Sequence, residues 1–170
     1  IDLSIYEQAS FLYRNNEFYI PANHYLENAR SLVAAGLYFN QQSESKKWLS
    51  KGLKILSEGL KTQFHDDAGH YEKSIMYHNI CTQIYLDIIN ILPDTFSEKE
   101  YFKKKASEMI SFLKAAIHPD GNIALFSDSS MEMGNEPQLV ISYAENLLKS
   151  SIPAKFLFPK FAAKFTICSR

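Results

Sequence analysis

The chain has 170 residues, a hydrophobic fraction of 46% and a formal net charge of −1. This length predicts one domain or one piece of a larger protein, and this apolar content is sufficient for a packed core. A net charge so close to zero provides no general basic field, so we expect no nucleic-acid partner. We also expect no membrane span, because no apolar run is long enough to cross a bilayer.

Apolar residues recur at the helical period through most of the chain, and this pattern predicts six helices. The predicted helices are a first ending near residues 15–16, a second from residue 21, a third around residues 48–60, a fourth from about residue 74 to residue 92, a fifth over residues 97–117 and a sixth from residue 137. Ser97 and Glu100 match a capping box at the start of the fifth helix. Loops are predicted at residues 63–71 and 122–135, and the second is long enough to suggest a functional role.

The pairing of these helices by short loops predicts an all-α fold. The fourth helix is apolar nearly all round, as expected when neighbouring elements cover both of its faces. We therefore predict an incomplete α/α toroid of antiparallel helix hairpins over residues 1–152, although a plain helical bundle fits the same pattern. Residues 153–170 are predicted to form a terminal helix or to lead into another domain.

The positions of the cysteine and histidine residues bear on possible disulfide and metal sites. Cys81 lies in an apolar helical stripe and is far in sequence from Cys168, so we predict a buried free thiol. Residues 65–67 (HDD) and His70 share a loop and carry zinc-binding side-chain types, but such loop residues are more often simply solvated. No metal and no cofactor are expected.

The first polar cluster lies at residues 21–29, PANHYLENA, at the start of the second helix. One interpretation is structural, with Asn23 capping the helix and His24 partly exposed. The other is functional, because an amide beside a helix N-terminus presents N–H groups to an anion such as a carboxylate. The spacing leaves both interpretations open.

The second polar cluster lies at residues 69–78, GHYEKSIMYH, at the start of the fourth helix. Tyr77 lies one turn before Cys81, so it is either a core tyrosine or a phenol held at a cleft. A phenol that gives or takes a proton needs a perturbed pKa or a well-placed hydrogen bond, because a free phenol titrates near pH ~10.

Three segments together resemble the helical domain of the heparinase II/III family of polysaccharide lyases. They are residues 23–37 (NHYLENARSLVAAGL), residues 69–78 and residues 120–129 (DGNIALFSDS), in the family's order. The chain departs from the family pattern at Ile75, where proline is common, at Lys73, where arginine is common, and at Ser127, where glycine is common. Lys73 keeps the charge of arginine but not its bidentate fork.

The resemblance implies β-elimination on a uronate-containing polysaccharide. Asn23 and His24 would engage the uronate carboxylate, and Tyr77 would protonate the leaving glycosidic oxygen, with a base role on syn substrates left open. The residues predicted to contact substrate or line the cleft are His78, Glu72, Lys73 and Asp128. Neutral donors would take the place of a metal in this chemistry.

The resemblance also implies partners and a location. The expected substrate is an anionic polysaccharide of the heparan, alginate or bacterial surface type, and the parent protein is expected to carry a C-terminal β-sandwich domain. We expect a periplasmic or secreted parent, with the cytoplasm left open. Two alternatives remain: a toroid hydrolase using Asp67 or Glu72 with Asp128, and a non-catalytic carbohydrate-binding or structural domain.

Overall fold

The computed structural model describes residues 1–131 and 133–154. These residues form six helices: α1 (Asp2–Arg14), α2 (Asn23–Tyr38), α3 (Ser43–Thr62), α4 (Ile75–Ile91), α5 (Glu98–Ala116) and α6 (Pro137–Leu148). The described residues contain two isolated β-bridges, Phe64 with His70 and Ile117 with Ile123, and no strand. The predicted all-α class is confirmed, whereas the prediction for residues 153–170 lies, from residue 155 onward, outside the described residues.

Neighbouring helices form antiparallel hairpins, as predicted. In the α2–α3 hairpin the backbones approach so closely that a Cβ on Gly52 would lie 2.8 Å from the carbonyl oxygen of Ala29. In the α4–α5 hairpin, His78 near the start of α4 contacts Met109 toward the end of α5. At the other end of that hairpin, Lys99 bonds the carbonyl oxygen of Leu92.

Helices α2 and α4 pack side by side and run in the same direction. The hydroxyl of Tyr71, just before α4, bonds the carbonyl oxygen of Pro21, just before α2. Further along both helices, Arg30 and Asp87 form an ion pair with an N–O distance of 2.6 Å. The two helices therefore begin at the same end of the molecule.

Helix α4 is the centre of the core. Its buried residues are Ile75, Met76, His78, Asn79, Cys81, Thr82, Ile84, Tyr85, Leu86, Ile88 and Ile89. They lie all round the helix, which confirms that neighbouring elements cover both faces. The buried Tyr85 donates its hydroxyl proton to the carbonyl oxygen of Leu56 at 2.9 Å, so α3 is fixed against α4 as well.

Helix starts agree only in part with the caps predicted from the sequence. Ser74 is the N-cap of α4, and its Oγ accepts from the backbone N–H of Tyr77. The capping box at Ser97 is wrong, because this residue already has helical dihedral angles and makes no side-chain cap hydrogen bond. Its hydroxyl instead bonds Glu98. None of the helices in the described ranges is long and apolar enough to span a membrane.

Candidate active site

The starts of α2 and α4 bring the two polar clusters to one end of the molecule. Tyr71 connects them, because its Oη lies 3.1 Å from the carbonyl oxygen of Pro21 and 3.2 Å from Oε1 of Glu72. Partial burial and the nearby Glu72 carboxylate raise the pKa of Tyr71 to about 12. Tyr71 is therefore a neutral hydrogen-bonding link between the clusters over the ordinary pH range.

Asn23 and His24 occupy the first turn of α2. The N-cap of this helix is Ala22, and no side chain caps it, so Asn23 does not have the capping role considered for it. The Asn23 side chain is half-buried and makes no hydrogen bond to another described residue, while His24 is exposed. Both side chains remain open to a ligand at a helix N-terminus, where N–H groups favour an anion.

Tyr77 is half-buried in the first turn of α4 and is not sealed in the core. Its Oη donates to Oδ2 of Asp128 at 3.2 Å, and its backbone N–H donates to Oγ of Ser74 at 3.2 Å. Partial burial, and then the hydrogen bond to Asp128, raise the pKa of the Tyr77 phenol above its ordinary value. The phenol is therefore held in its protonated form.

His78, the next residue along α4, points the other way. Its side chain is fully buried, and its Nε2–H donates to the carbonyl oxygen of Met109 at 3.0 Å. Its Nδ1 has no hydrogen-bond partner among the described residues. Burial lowers the pKa of His78 to about 4. The prediction that His78 contacts substrate does not fit this placement, because α5 covers the ring.

His70 also lies in the core rather than in a metal-binding loop. Its Nε2 is 3.4 Å from Oε1 of Gln63 and 3.6 Å from Sγ of Cys81, and burial lowers its pKa to about 3. Cys81 is a buried free thiol, as predicted. Within residues 1–131 and 133–154, no group of three or more His, Cys, Asp or Glu side chains is placed to hold a metal ion.

The other predicted contact residues lie around Tyr77 and Tyr71. Glu72 is half-buried and accepts from Tyr71, whereas Asp128 is exposed and accepts from Tyr77. Lys73 is half-buried, with a left-handed backbone angle φ of 58°, and its N–H bonds the carbonyl oxygen of His70.

A segment that we call the strap, residues 127–131 and 133–135, lies along α4 and was not identified as one unit from the sequence. Its contacts with α4 and its N-cap are Asp128 with Tyr77, Ser129 with Ser74, Ser130 with Met76, and Asn135 with both Asn79 and Gln83. The signal available in the sequence was the length and polarity of the predicted loop. That signal does not reveal where the loop docks.

The six helices and the polar groups gathered at one end define a helical domain with a candidate site at the starts of two parallel helices. The chain belongs to the heparinase II/III family, because the model of the family's N-terminal domain, Heparinase II/III N-terminus, matches residues 2–150.

Two curated relatives are bacterial heparin-sulfate lyases. The protein from Pedobacter heparinus is 28% identical over 129 residues, which cover 74% of this chain and 19% of the relative. The protein from Bacteroides stercoris is 26% identical over 125 residues, which cover 71% of this chain and 18% of the relative. The chain thus spans about a fifth of the length of the curated relatives that it matches.

A solved structure of a heparinase III shares the fold. It superposes with a TM-score of 0.63 and 23% sequence identity over 76% of this chain and 21% of the solved chain. The helix arrangement described above is consistent with the helical toroid fold of that protein's N-terminal domain.

Proposed function

We propose that this chain is the helical part of a polysaccharide lyase that cleaves a uronate-containing polysaccharide by β-elimination. The observation that carries the proposal is a protonated, half-buried phenol, Tyr77, at the same end of the molecule as Asn23, whose amide makes no hydrogen bond to another described residue. Membership of the heparinase II/III family and two heparin-sulfate lyase relatives support the same reaction class.

The reaction breaks the C5–H and C4–O bonds of the uronate and forms a C4–C5 double bond. Negative charge develops on the uronate carboxylate while the C5 proton leaves, so hydrogen-bond donors at that position lower the barrier. We assign this role to the Asn23 amide and to His24, next to the α2 N-terminus. No metal takes part in this proposal.

Proton transfer needs a base at C5 and an acid at the leaving oxygen. We assign the acid to Tyr77, whose proton passes to the glycosidic oxygen as the C4–O bond breaks. We assign the C5 proton to an imidazole base, which by family resemblance belongs to a β-sandwich domain of the parent protein. The proposed substrate class is an anionic polysaccharide that contains uronate.

The carboxylates favour elimination over hydrolysis. A hydrolase needs two carboxyl groups facing the scissile bond, one as acid and one as base or nucleophile. Here the hydroxyl of Tyr71 engages Glu72, and the hydroxyl of Tyr77 engages Asp128. Each carboxylate therefore has a tyrosine as its neighbour in the site.

The test is a Tyr77→Phe substitution in the longest natural protein that contains this chain, assayed on a panel of uronate polysaccharides. Elimination leaves an unsaturated uronate that absorbs ultraviolet light, so turnover is followed directly. We expect a loss of roughly 10²–10⁴-fold, which is typical for removal of a general acid. Because the phenylalanine ring preserves the packing, we expect an unchanged fold.

Tyr38→Phe is the matched control. Its hydroxyl also donates to an aspartate, Asp2, at 3.3 Å, but the pair lies at the far end of α2. Depolymerisation without ultraviolet absorbance would favour the hydrolase, and saccharide binding without cleavage would favour a non-catalytic domain. Unchanged turnover in Tyr77→Phe would contradict the role of Tyr77.

A further inference from the structure

Two consecutive strap residues act on the two ends of Tyr77. Asp128 accepts the hydrogen bond from the phenol hydroxyl. The Oγ of Ser129 lies 2.7 Å from the Oγ of Ser74, which in turn accepts the backbone N–H of Tyr77. The side chain and the backbone of this tyrosine are thus both fixed by the same short segment.

The strap itself is fixed at several points. The side-chain amide of Asn79 donates to the carbonyl oxygen of Asn135 at 2.7 Å, and the amide of Asn135 donates to Gln83 at 2.7 Å. Ser129 also donates its hydroxyl to the carbonyl oxygen of Phe126 at 2.7 Å. Because these bonds hold both ends of the segment, Asp128 is presented to Tyr77 by a docked element and not by a free side chain.

The charged groups acting on Tyr77 all favour the protonated phenol. They are Asp128 on the strap and Glu72 in the loop before α4, and the titratable thiol of Cys81 lies one turn along α4. Burial raises the pKa of the Cys81 thiol, so that group is neutral, and the two carboxylates supply the negative field. A phenolate at this position would lie beside a carboxylate, which is unfavourable.

We propose that Asp128 is a positioning residue that orients the hydroxyl of Tyr77 and keeps its proton in place, and that docking of the strap on α4 produces this state. The inference rests on the proposed function, in which Tyr77 is the acid. Tyr77 then enters each cycle carrying its proton, and the hydrogen bond to Asp128 breaks as that proton passes to the glycosidic oxygen. After the transfer, the carboxylate of Asp128 disfavours the phenolate and so promotes its reprotonation from water.

The first test measures the titration of Tyr77 directly, in the 170-residue chain without substrate. Tyrosines labelled with ¹³C at Cζ report ionisation by NMR, and Tyr77→Phe assigns the signal. We expect Asp128→Asn to move the Tyr77 midpoint to lower pH, Asp128→Glu to restore it, and Glu72→Gln to move it less. A Tyr77 midpoint that is the same in Asp128→Asn as in the unmodified chain would overturn the proposal.

The second test separates the strap from the carboxylate. Ser129→Ala keeps Asp128 but removes both hydrogen bonds of the Ser129 hydroxyl, so we expect a smaller move of the Tyr77 midpoint in the same direction. Asp2→Asn is the control, because it removes the aspartate acceptor of the Tyr38 hydroxyl and should leave the Tyr77 midpoint unchanged. If Ser129→Ala leaves the Tyr77 midpoint unchanged, the part of the proposal that concerns strap docking is wrong.

The third test uses activity in the longest natural protein. Asp128→Asn should move the alkaline limb of the pH profile of kcat/KM to lower pH, and Asp128→Glu should restore it, a signature that a purely structural residue would not give. An alkaline limb that does not move would contradict the link to catalysis. Absence of lyase activity in the longest natural protein would refute the proposed function. The NMR titration needs no turnover, so it tests the effect of Asp128 on Tyr77 independently of that outcome.

Discussion

Tyr77 and His78 are consecutive residues of α4 in opposite environments. The phenol of Tyr77 reaches the exposed Asp128, and its pKa is raised. The imidazole of His78 is buried against α5, and its pKa is lowered to about 4. Each environment holds its residue in the neutral form near pH 7, but only the tyrosine can exchange a proton with a ligand.

This difference separates two uses of polar residues on one helix. On the buried side, His78 and His70 fill space between aromatic rings and add a pH-dependent cost to the fold. On the other side, Tyr77 contacts the strap through Asp128 and belongs to the candidate site. A polar residue in a motif can therefore serve either packing or ligand contact. Only its environment in the fold shows which of these two roles it has.

The largest predicted effect concerns the buried histidines, His78 and His70, which should make the fold less stable in acid. His78 and His70 have folded pKa values of about 4 and about 3, whereas the unfolded chain takes up these protons near pH ~6.5. Stability is therefore present above pH ~6.5 and is lost as the pH falls toward 4. Each pH unit over which only the unfolded chain is protonated costs about 1.4 kcal/mol per histidine.

We thus expect the free energy of unfolding to fall by about 3 kcal/mol per histidine between pH 7 and pH 4. Urea titrations at several pH values measure it. His78→Gln keeps an amide donor for Met109 and should flatten the pH dependence, whatever its effect at pH 7. If the free energy of unfolding depended on pH as steeply in His78→Gln as in the unmodified chain, His78 would not be neutral in the folded state.

A second prediction compares a buried histidine, His78, with an exposed one, His24. His78→Ala should cost about 2–4 kcal/mol at pH 7, because it opens a cavity and removes the hydrogen bond to Met109. His24→Ala should stay within about 0.5 kcal/mol, because His24 is exposed. Urea denaturation of both variants measures the loss in the free energy of unfolding. Equal losses would contradict the difference in burial between His78 and His24.

A third prediction compares two serines that precede helices. Ser74→Ala should cost about 1 kcal/mol, because Ser74 caps α4 and contacts the strap through Ser129. Ser97→Ala should change the free energy of unfolding by less than about 0.5 kcal/mol, because Ser97 does not cap α5. A larger cost at Ser97 would mean that its capping box forms in solution.

The smallest effect is expected at Ser127, where the strap has a left-handed φ of 53°. This conformation costs a residue with a Cβ about 1 kcal/mol, and glycine avoids that cost. Ser127→Gly should therefore stabilise the chain by less than about 1 kcal/mol, since glycine also has more freedom in the unfolded state. A melting experiment beside the control Ser130→Gly checks it, and a loss of stability at Ser127 would contradict the prediction.

Most of the fold could be predicted from the sequence because helical periodicity is a local signal. The predicted fourth helix, from about residue 74 to residue 92, agrees with α4, and the predicted start of the sixth at residue 137 agrees with α6. The capping box at Ser97 was wrong because the spacing of a serine and a glutamate does not fix the backbone dihedral angles of the serine, which are helical here.

The site was only partly predictable, for a physical reason. Residue type and position left Asn23, His24 and Tyr77 open between a structural and a functional interpretation, and only the family resemblance assigned them to a site. The structure places all three in the first turns of α2 and α4, at one end of the molecule. The burial of His78 depends on α5, a long-range contact that no local pattern contains. The strap contacts, such as Ser129 with Ser74, join residues that are far apart in sequence and were invisible for the same reason.

The helices alternate in direction, so successive connections lie at opposite ends of the molecule, and the connections at one end are longer than those at the other. The connections that lead into α2, α4 and α6 are residues 15–22, 63–74 and 117–136, whereas those at the other end are the shorter residues 39–42 and 92–97. Contacts between Tyr71 and Pro21 and between Ser129 and Ser74 show that the long ones meet at one end. Long surface connections tolerate insertion and substitution better than packed helices do. Insertions and substitutions at this end of the domain should therefore disturb the helix hairpins beneath it less than changes within the hairpins themselves.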